Sequence, residues 1–406
     1  MDAVSRQPID TRPVCGYSPS PEIPPENSCP LLDRIDRLAR GRICSFLPYE
    51  DLRSLRATCS TSRIDVFSHL MNQLDVPPLD KENKERFCTR LSTILEALQE
   101  NPALNLQEKA FFRPLLSDAL FEDHSSLYLV LDVAYKSSLV ALFLSRSSFE
   151  ENASLEQKVT CVREYIQKHK KTITALRCKG RGITCFPEEL CEFLPNLQTL
   201  DLENNSLCSL PVSIGTLSAL QTLDLENNSL CSLPHSFGSL SALQYLYLED
   251  NSLCFLPDSF GSLSALQYLS LSKNSLCSLP HSFGSLSALQ YLFLNDNSLC
   301  FLPDSFGSLS ALQRLSLNNN RLCSLPHSFG SLSALQNLYL EDNSLCFLPD
   351  SFGSLSALQN LSLNNNGLCL LPVSIGSLSA LRTLWLSNTS LLEGFPESFR
   401  QGLLLL

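Results

Sequence analysis

The sequence predicts an α/β solenoid: short parallel strands along a concave face, in about ten 23-residue coils, preceded by a small all-α region. Three observations carry this. The stretch LQTLDLENNSLCSLP (Leu197–Pro211) recurs in the same frame at Leu220, Leu243, Leu266, Leu289, Leu312, Leu335, Leu358 and Leu381, every step being 23 residues. A fixed period of that length marks a stacked array. Within each copy the L-x-L core alternates with period two, as a strand does, sending Leu200 and Leu202 inward and Asp201 outward. Upstream the pattern changes to that of helices: Leu91, Ile94, Leu95 and Leu98 fall at i, i+3, i+4 and i+7, and Val159, Val162, Tyr165 and Ile166 share one helix face.

Each coil reads L-x-x-L-x-L-x-x-N-x-L-C-x-L-P-x-S-F-G-x-L-S-A. One coil cannot bury its own leucine face, but stacking coils at the strand spacing of about 4.8 Å joins those faces into one core. The Asn column (Asn205, Asn228, Asn251, Asn274, Asn297, Asn320, Asn343, Asn366) falls where the chain leaves the strand, and a buried amide there can pair the turn's backbone groups. Pro211 and its equivalents open the return segment with φ fixed. Phe237 or Ile214, followed by Gly, should let that segment pack closely. ITALRCKGRGITCFP (Ile173–Pro187) is a degenerate first copy, with Arg181 in place of Asn. The last copy carries Thr389 and an extra residue before Phe395-Pro396. The apolar Leu403–Leu406 is expected to pack on the array or on a partner.

Two further columns follow the period. His235, His281 and His327 alternate with Asp258, Asp304 and Asp350, so the full repeat is a pair of coils, 46 residues long. These His lie on the return side, two coils apart, which is poor geometry for a metal or catalytic site. The thiols of Cys208, Cys231, Cys254, Cys277, Cys300, Cys323, Cys346 and Cys369 form a single file that does not converge as zinc ligands must. They are expected to be small buried side chains beside the turn.

This frame resembles the leucine-rich-repeat family, in its short, LP-containing form found in bacterial and Ras-associated proteins. The resemblance implies a solenoid that binds proteins on its concave side. On that side the variable strand positions place Tyr245, Tyr247, Tyr268, Tyr291, Phe293, Tyr339 and Trp385, the chain's only Trp. Beside them come Glu203, Glu226, Glu249, Asp250, Asp296, Glu341 and Asp342, with Asp201 and Asp224 on the strands. Basic residues are scarce there: Lys273, Arg314 and Arg382. The chain's net charge is −11, and from Lys171 onward 9 Lys/Arg stand against 17 Asp/Glu, so −8 of it belongs to the array. An acidic, aromatic groove suits a protein partner with a basic surface, and the balance excludes the basic footprint of a nucleic-acid binder.

Residues 1–30 are too rich in Pro, Ser and charge to offset ordering entropy and are expected to be disordered, with no secretory h-region. Residues 31–70 read as a compact helical module, and 80–171 as a helical linker or N-terminal cap with breaks at Asn101-Pro102 and Glu150–Asn152. The apolar run Ser125–Leu144 is interrupted by Asp132 and Lys136 and is expected to be buried helix rather than a membrane span. The solenoid takes 172–406. In the module, Leu38, Ile43, Phe46 and Leu47 give one apolar face, Pro48 ends that helix, and Asp51 caps the next, whose stripe is Leu52, Leu55 and Cys59.

The string I-x-x-F-L-P-x-x-D-L-x-x-L-x-x-x-C resembles the F-box, which docks substrate receptors onto Skp/cullin ubiquitin ligases. By that resemblance Ile43, Phe46, Leu47, Pro48, Asp51, Leu52 and Leu55 would supply the adaptor-docking surface. The order F-box, helical linker, leucine-rich repeats resembles F-box/leucine-rich-repeat substrate receptors. The near-identity of the repeat copies resembles eukaryotic-type effectors of intracellular bacteria, which implies cytoplasmic action, including in a host cell. The expected function is recruitment of a basic target to a Skp-type adaptor. An alternative is a scaffold outside ubiquitin chemistry that binds a signalling protein such as a small GTPase. Neither needs a cofactor or metal. No Gly-rich phosphate loop, H-E-x-x-H or Cys/His/Asp constellation points to an enzyme.

Overall fold

The computed structural model describes residues 135–144, 149, 153–387 and 404–405. The expected F-box-like residues, the periodic stripe at 91–98 and the breaks at 101–102 and 150–152 lie outside the described residues. Helix α1 (135–143) is buried through Tyr135, Leu139, Val140, Leu142 and Phe143. Helix α2 (Leu155–His169) starts on a capping box, in which the Gln157 N–H donates to Ser154 Oγ and the Ser154 N–H donates to Gln157 Oε1. Leu155, Val159, Val162 and Ile166 face inward, as the 3.6-residue period requires. Tyr165 is half-buried, its ring 6.1 Å from that of Phe143.

These helices close the open end of the array. The Cys178 thiol donates to the Leu142 carbonyl at 3.3 Å, and the Thr184 N–H donates to Ser138 Oγ at 3.1 Å. Arg163 of α2 pairs at 3.2 Å with Glu189, which opens the short helix α3 (Glu189–Phe193). Without such a cover the apolar first coil (Ile173, Leu176, Ile183, Phe186) would face water.

From there the chain forms one parallel sheet whose strands follow sequence order: β1 (Ala175–Arg177), β2 (Thr199–Asp201), β3 (Thr222–Asp224), β4 (Tyr245–Tyr247), β5 (Tyr268–Ser270), β6 (Tyr291–Phe293), β7 (Arg314–Ser316), β8 (Asn337–Tyr339), β9 (Asn360–Ser362), β10 (Thr383–Trp385) and β11 (Leu404–Leu405). The register is set by the central leucine: Leu200 faces Leu223, which faces Leu246, and so on to Leu384. At the far end Leu404–Leu405 add a strand beside β10.

The Asn column does what an amide at that position should. Asn228 Nδ2 donates to Leu225 and Glu226 carbonyls of its own coil and to Leu202 of the coil before, while its Oδ1 accepts the Leu207 N–H. Every coil from the second to the ninth is tied to its predecessor in this way, and Asn205 accepts the Arg181 and Ile183 N–H groups of the first. The residue before each Asn turns the chain with φ of 52–56°. Asn or Asp, which tolerate that region, fill it everywhere except Lys273.

Across the core, proline opens a 3-10 turn whose Phe points inward. Phe237, Phe260, Phe283, Phe306, Phe329 and Phe352 form a buried, parallel stack at 6.1–6.2 Å between ring centroids. That is wider than the strand spacing of about 4.8 Å, so the array curves with its strands on the inside. The glycine after each Phe is required by space: a Cβ on Gly284 would lie 2.0 Å from the Ser305 carbonyl oxygen of the next coil.

One expectation is overturned. Only Cys208 of the thiol column is buried; Cys231 is intermediate, and Cys254, Cys277, Cys300, Cys323, Cys346 and Cys369 are exposed. In L-C-x-L-P the two leucines point inward, and the extended chain between them turns the Cys and its follower outward. The His and Asp column is exposed along the return side. Among the described residues no helix is long and apolar enough to cross a membrane.

Candidate functional site

The residues flanking each central leucine project from the concave side as two columns. The first runs Thr199, Thr222, Tyr245, Tyr268, Tyr291, Arg314, Asn337, Asn360, Thr383. The second runs Asp201, Asp224, Tyr247, Ser270, Phe293, Ser316, Tyr339, Ser362, Trp385, so from Tyr247 onward an aromatic alternates with a serine. The 46-residue period thus reaches the concave face. Ser270, Ser316 and Ser362 are buried, because the larger neighbours close over them.

At two of these serines, Ser270 and Ser316, the first-column residue of the same coil bridges the flanking rings. Tyr268 sits 4.9 Å from Tyr247 and 5.5 Å from Phe293 between ring centroids. The Arg314 guanidinium lies 5.7 Å from the Phe293 ring centre and 5.2 Å from that of Tyr339. Tyr339 is in turn 6.4 Å from Trp385. The aromatics expected from the sequence are therefore one connected stripe, Tyr247–Tyr268–Phe293–Arg314–Tyr339–Trp385. Tyr245 and Tyr291 stand at its side with 39% of their surface in water each. Arg314 was legible only as a scarce base; its place between two rings is a product of the coil register.

Acidic groups gather at the other end. Ligand atoms of Asp201, Glu203 and Asp224 lie within 4.8 Å of one another. The Lys179 ammonium sits 2.5 Å from Glu203, and that hydrogen bond raises the lysine pKa. Partial burial holds the Asp224 carboxyl above the usual range, with Asp201 and Glu203 adding to it, although the Glu226 N–H bonded to it at 3.0 Å opposes. Burial also raises Glu226, helped by the nearby Glu249, Glu203, Asp224 and Asp250. Glu249 and Asp250 hold Lys273 at 3.2 and 3.0 Å. Further along, Asp296 and Asp342 lie exposed on the rim, and half-buried Glu341 accepts the Ser362 hydroxyl. The concave face is thus acidic toward β2–β4, aromatic through β4–β8, and amide- and serine-rich near β9.

Sequence reasoning missed a second exposed apolar set. Phe255, Phe301, Phe347 and Leu370, each following a column cysteine, are 41–61% exposed on the flank of the array. The signal was the alternation of C-F-L-P with C-S-L-P.

The family description "Leucine-rich repeat region" matches residues 184–279 and 272–369, and "Leucine Rich Repeat" matches 380–401. Among solved structures, a leucine-rich-repeat protein of Leptospira interrogans is 30% identical, with 55% of this chain and 62% of that one covered and a TM-score of 0.45. A TDR receptor is 27% identical over 61% of this chain and 44% of its own, at a TM-score of 0.52. The plant peptide hormone receptor RGFR1, in complex with RGF2, is 31% identical over 50% of this chain and 38% of its own, at 0.41. The chain spans less than two thirds of each of these three proteins. A comparison with curated proteins gives no match.

Proposed function

We propose that this chain, whose repeat region is a leucine-rich-repeat solenoid, is a substrate receptor that recruits a basic protein target to a Skp/cullin/F-box ubiquitin ligase in the cytoplasm. The observation that carries the target half is the stripe Tyr247–Tyr268–Phe293–Arg314–Tyr339–Trp385 running out of an acidic cluster. Rigid aromatics give large contact area at low entropic cost, and carboxylates at one end orient a positively charged segment. Tyr245, Tyr247, Tyr268, Tyr291, Phe293, Tyr339 and Trp385 act as anchors; Glu249, Asp250 and Glu341 supply charge.

The ligase half rests on the F-box resemblance of Ile43, Phe46, Leu47, Pro48, Asp51, Leu52 and Leu55. A pull-down of the full chain with the Skp-type adaptor tests it, beside a Phe46→Ala/Leu47→Ala variant. Retention by the intact chain and loss in the variant are expected; equal retention, or none by either, sinks the ligase half. The groove is tested separately with Ala at Tyr245, Tyr247, Tyr291 and Phe293, and an unchanged partner list would show that this face is not the reader.

A further inference from the structure

We propose that the exposed cysteine file is a redox-responsive modification site, in which neighbouring coils close into three disulfides: Cys254–Cys277, Cys300–Cys323 and Cys346–Cys369. All six residues are exposed thiols in the same frame of successive coils. Backbone-bonded neighbours in register are about 5 Å apart at Cα, inside the ~4.4–6.8 Å spread seen for disulfides, and closing the bond must bring the Cβ atoms to about 4 Å. Two of the pairs are also tied through the backbone: the Cys323 N–H donates to the Cys300 carbonyl at 3.4 Å, and Cys369 to Cys346 at 3.3 Å.

The phase of the pairing is fixed by the 46-residue period. The Cys277 thiol leans back on the Cys254 carbonyl at 3.8 Å, and Cys323 on Cys300 at 3.6 Å. The first members instead turn to carbonyls of their own coil, Cys254 to Ser252, Cys300 to Ser298 and Cys346 to Ser344, as does Cys369 at the end of the file, to Gly367. Each first member is followed by an exposed Phe (Phe255, Phe301, Phe347), and Ser follows Cys277 and Cys323. The first four cysteines therefore divide into two pairs, and Cys346–Cys369 is set in the same phase by its backbone hydrogen bond.

With a peroxide as oxidant the chemistry balances. One thiolate sulfur attacks the O–O bond and becomes a sulfenic acid, and the leaving hydroxide takes up the thiol proton as water. The neighbouring thiol then attacks that sulfur, the S–S bond forms, and a second water leaves with its proton. Two thiols lose two protons and two electrons, and hydrogen peroxide receives them. Cys178, Cys185 and Cys191 are buried, and burial pushes the Cys191 thiol up to about 12. They stay inert beside the file.

The test is to treat the reduced full-length chain with graded hydrogen peroxide, block remaining thiols, and map linkages by non-reducing peptide mass spectrometry. The three named pairs are expected, each with the mass of two hydrogens lost, in monomeric protein, and reversed by dithiothreitol. Links in the opposite phase (Cys277–Cys300, Cys323–Cys346) at equal yield would overturn the pairing. Six fully alkylated thiols at peroxide levels that oxidise a control dithiol, or links only between separate chains, would overturn the site. In Cys323→Ser, a conservative change at an exposed position, the Cys254–Cys277 and Cys346–Cys369 pairs should form unchanged while Cys300 is left as sulfenic acid or thiol. Capture of Cys300 by Cys277 in that variant counts against the proposal.

Discussion

The interior and the concave surface of the array are built from the same 23-residue frame, yet they follow different rules. Inside, the Leu, Asn and Phe columns repeat almost without change, because each residue packs on its own copy one coil away. Outside, the strand columns change from carboxylate to aromatic to amide along the array. Where a side chain touches its own image, the stack enforces sameness; where it touches water, it leaves room for a partner's demands. Tyr247 and Phe293 differ from their column neighbours, whereas Asn228 and Phe283 repeat theirs.

That contrast can be broken from the inside first. Gly284→Ala places a methyl against the Ser305 carbonyl, and Asn297→Ala strips a partner from the Leu276 N–H and the Leu271, Leu294 and Asn295 carbonyls. Each should cost about 3 kcal/mol of stability, read as a lowered urea midpoint. A loss under about 0.5 kcal/mol would put these columns on a par with surface positions.

Surface changes should show the reverse profile. Tyr291→Ala is expected to leave stability within about 0.5 kcal/mol while weakening the partner by about 2 kcal/mol, near thirtyfold. Titration calorimetry set beside denaturation separates the two. Arg314→Ala occupies a middle place: it removes a cation held between Phe293 and Tyr339 and should cost about 1 kcal/mol of stability. Arg314→Gln, which also removes the charge, should lose as much, and wild-type stability in that variant would assign the effect to packing rather than to the cation.

The smallest expected effect concerns pH. Asp224 and Glu226 have folded-state pKa values raised above their ordinary ones, so the folded chain binds these protons more readily than the unfolded one. Their contribution is a penalty, fully present above the folded pKa and relieved as pH falls through it toward the ordinary carboxylate value. Over that window these two groups favour folding while affinity for a cationic partner declines. Measured in Asp224→Asn/Glu226→Gln, the shift in binding should vanish. A shift of unchanged size would assign the pH dependence to other carboxylates.

The fold was legible in the sequence because period, strand alternation and the Asn column all state it redundantly. The members of the concave face were legible for the same reason: frame position determines which way a side chain points. Two things were not. The thiol column was expected inside, since Cys is among the most buried residue types in general; here the two leucines of L-C-x-L-P claim the inward positions and leave none for it. The stripe through Arg314 depends on which side chain leans over which serine, a matter of neighbouring-coil contacts that a one-coil pattern does not encode. The F-box resemblance concerns residues outside those described.

The alternation of Tyr247, Ser270, Phe293, Ser316, Tyr339, Ser362 and Trp385 also constrains how the array can change length. Removing or inserting a single coil between β4 and β10 would set two bulky rings, or two serines, side by side, while the hydrogen bonds of the sheet would remain satisfied. Such a chain would fold and yet carry a fault in its recognition surface, as a zipper closes with one tooth displaced. Only changes in multiples of two coils preserve the surface phase, so the reach of this face grows in 46-residue steps.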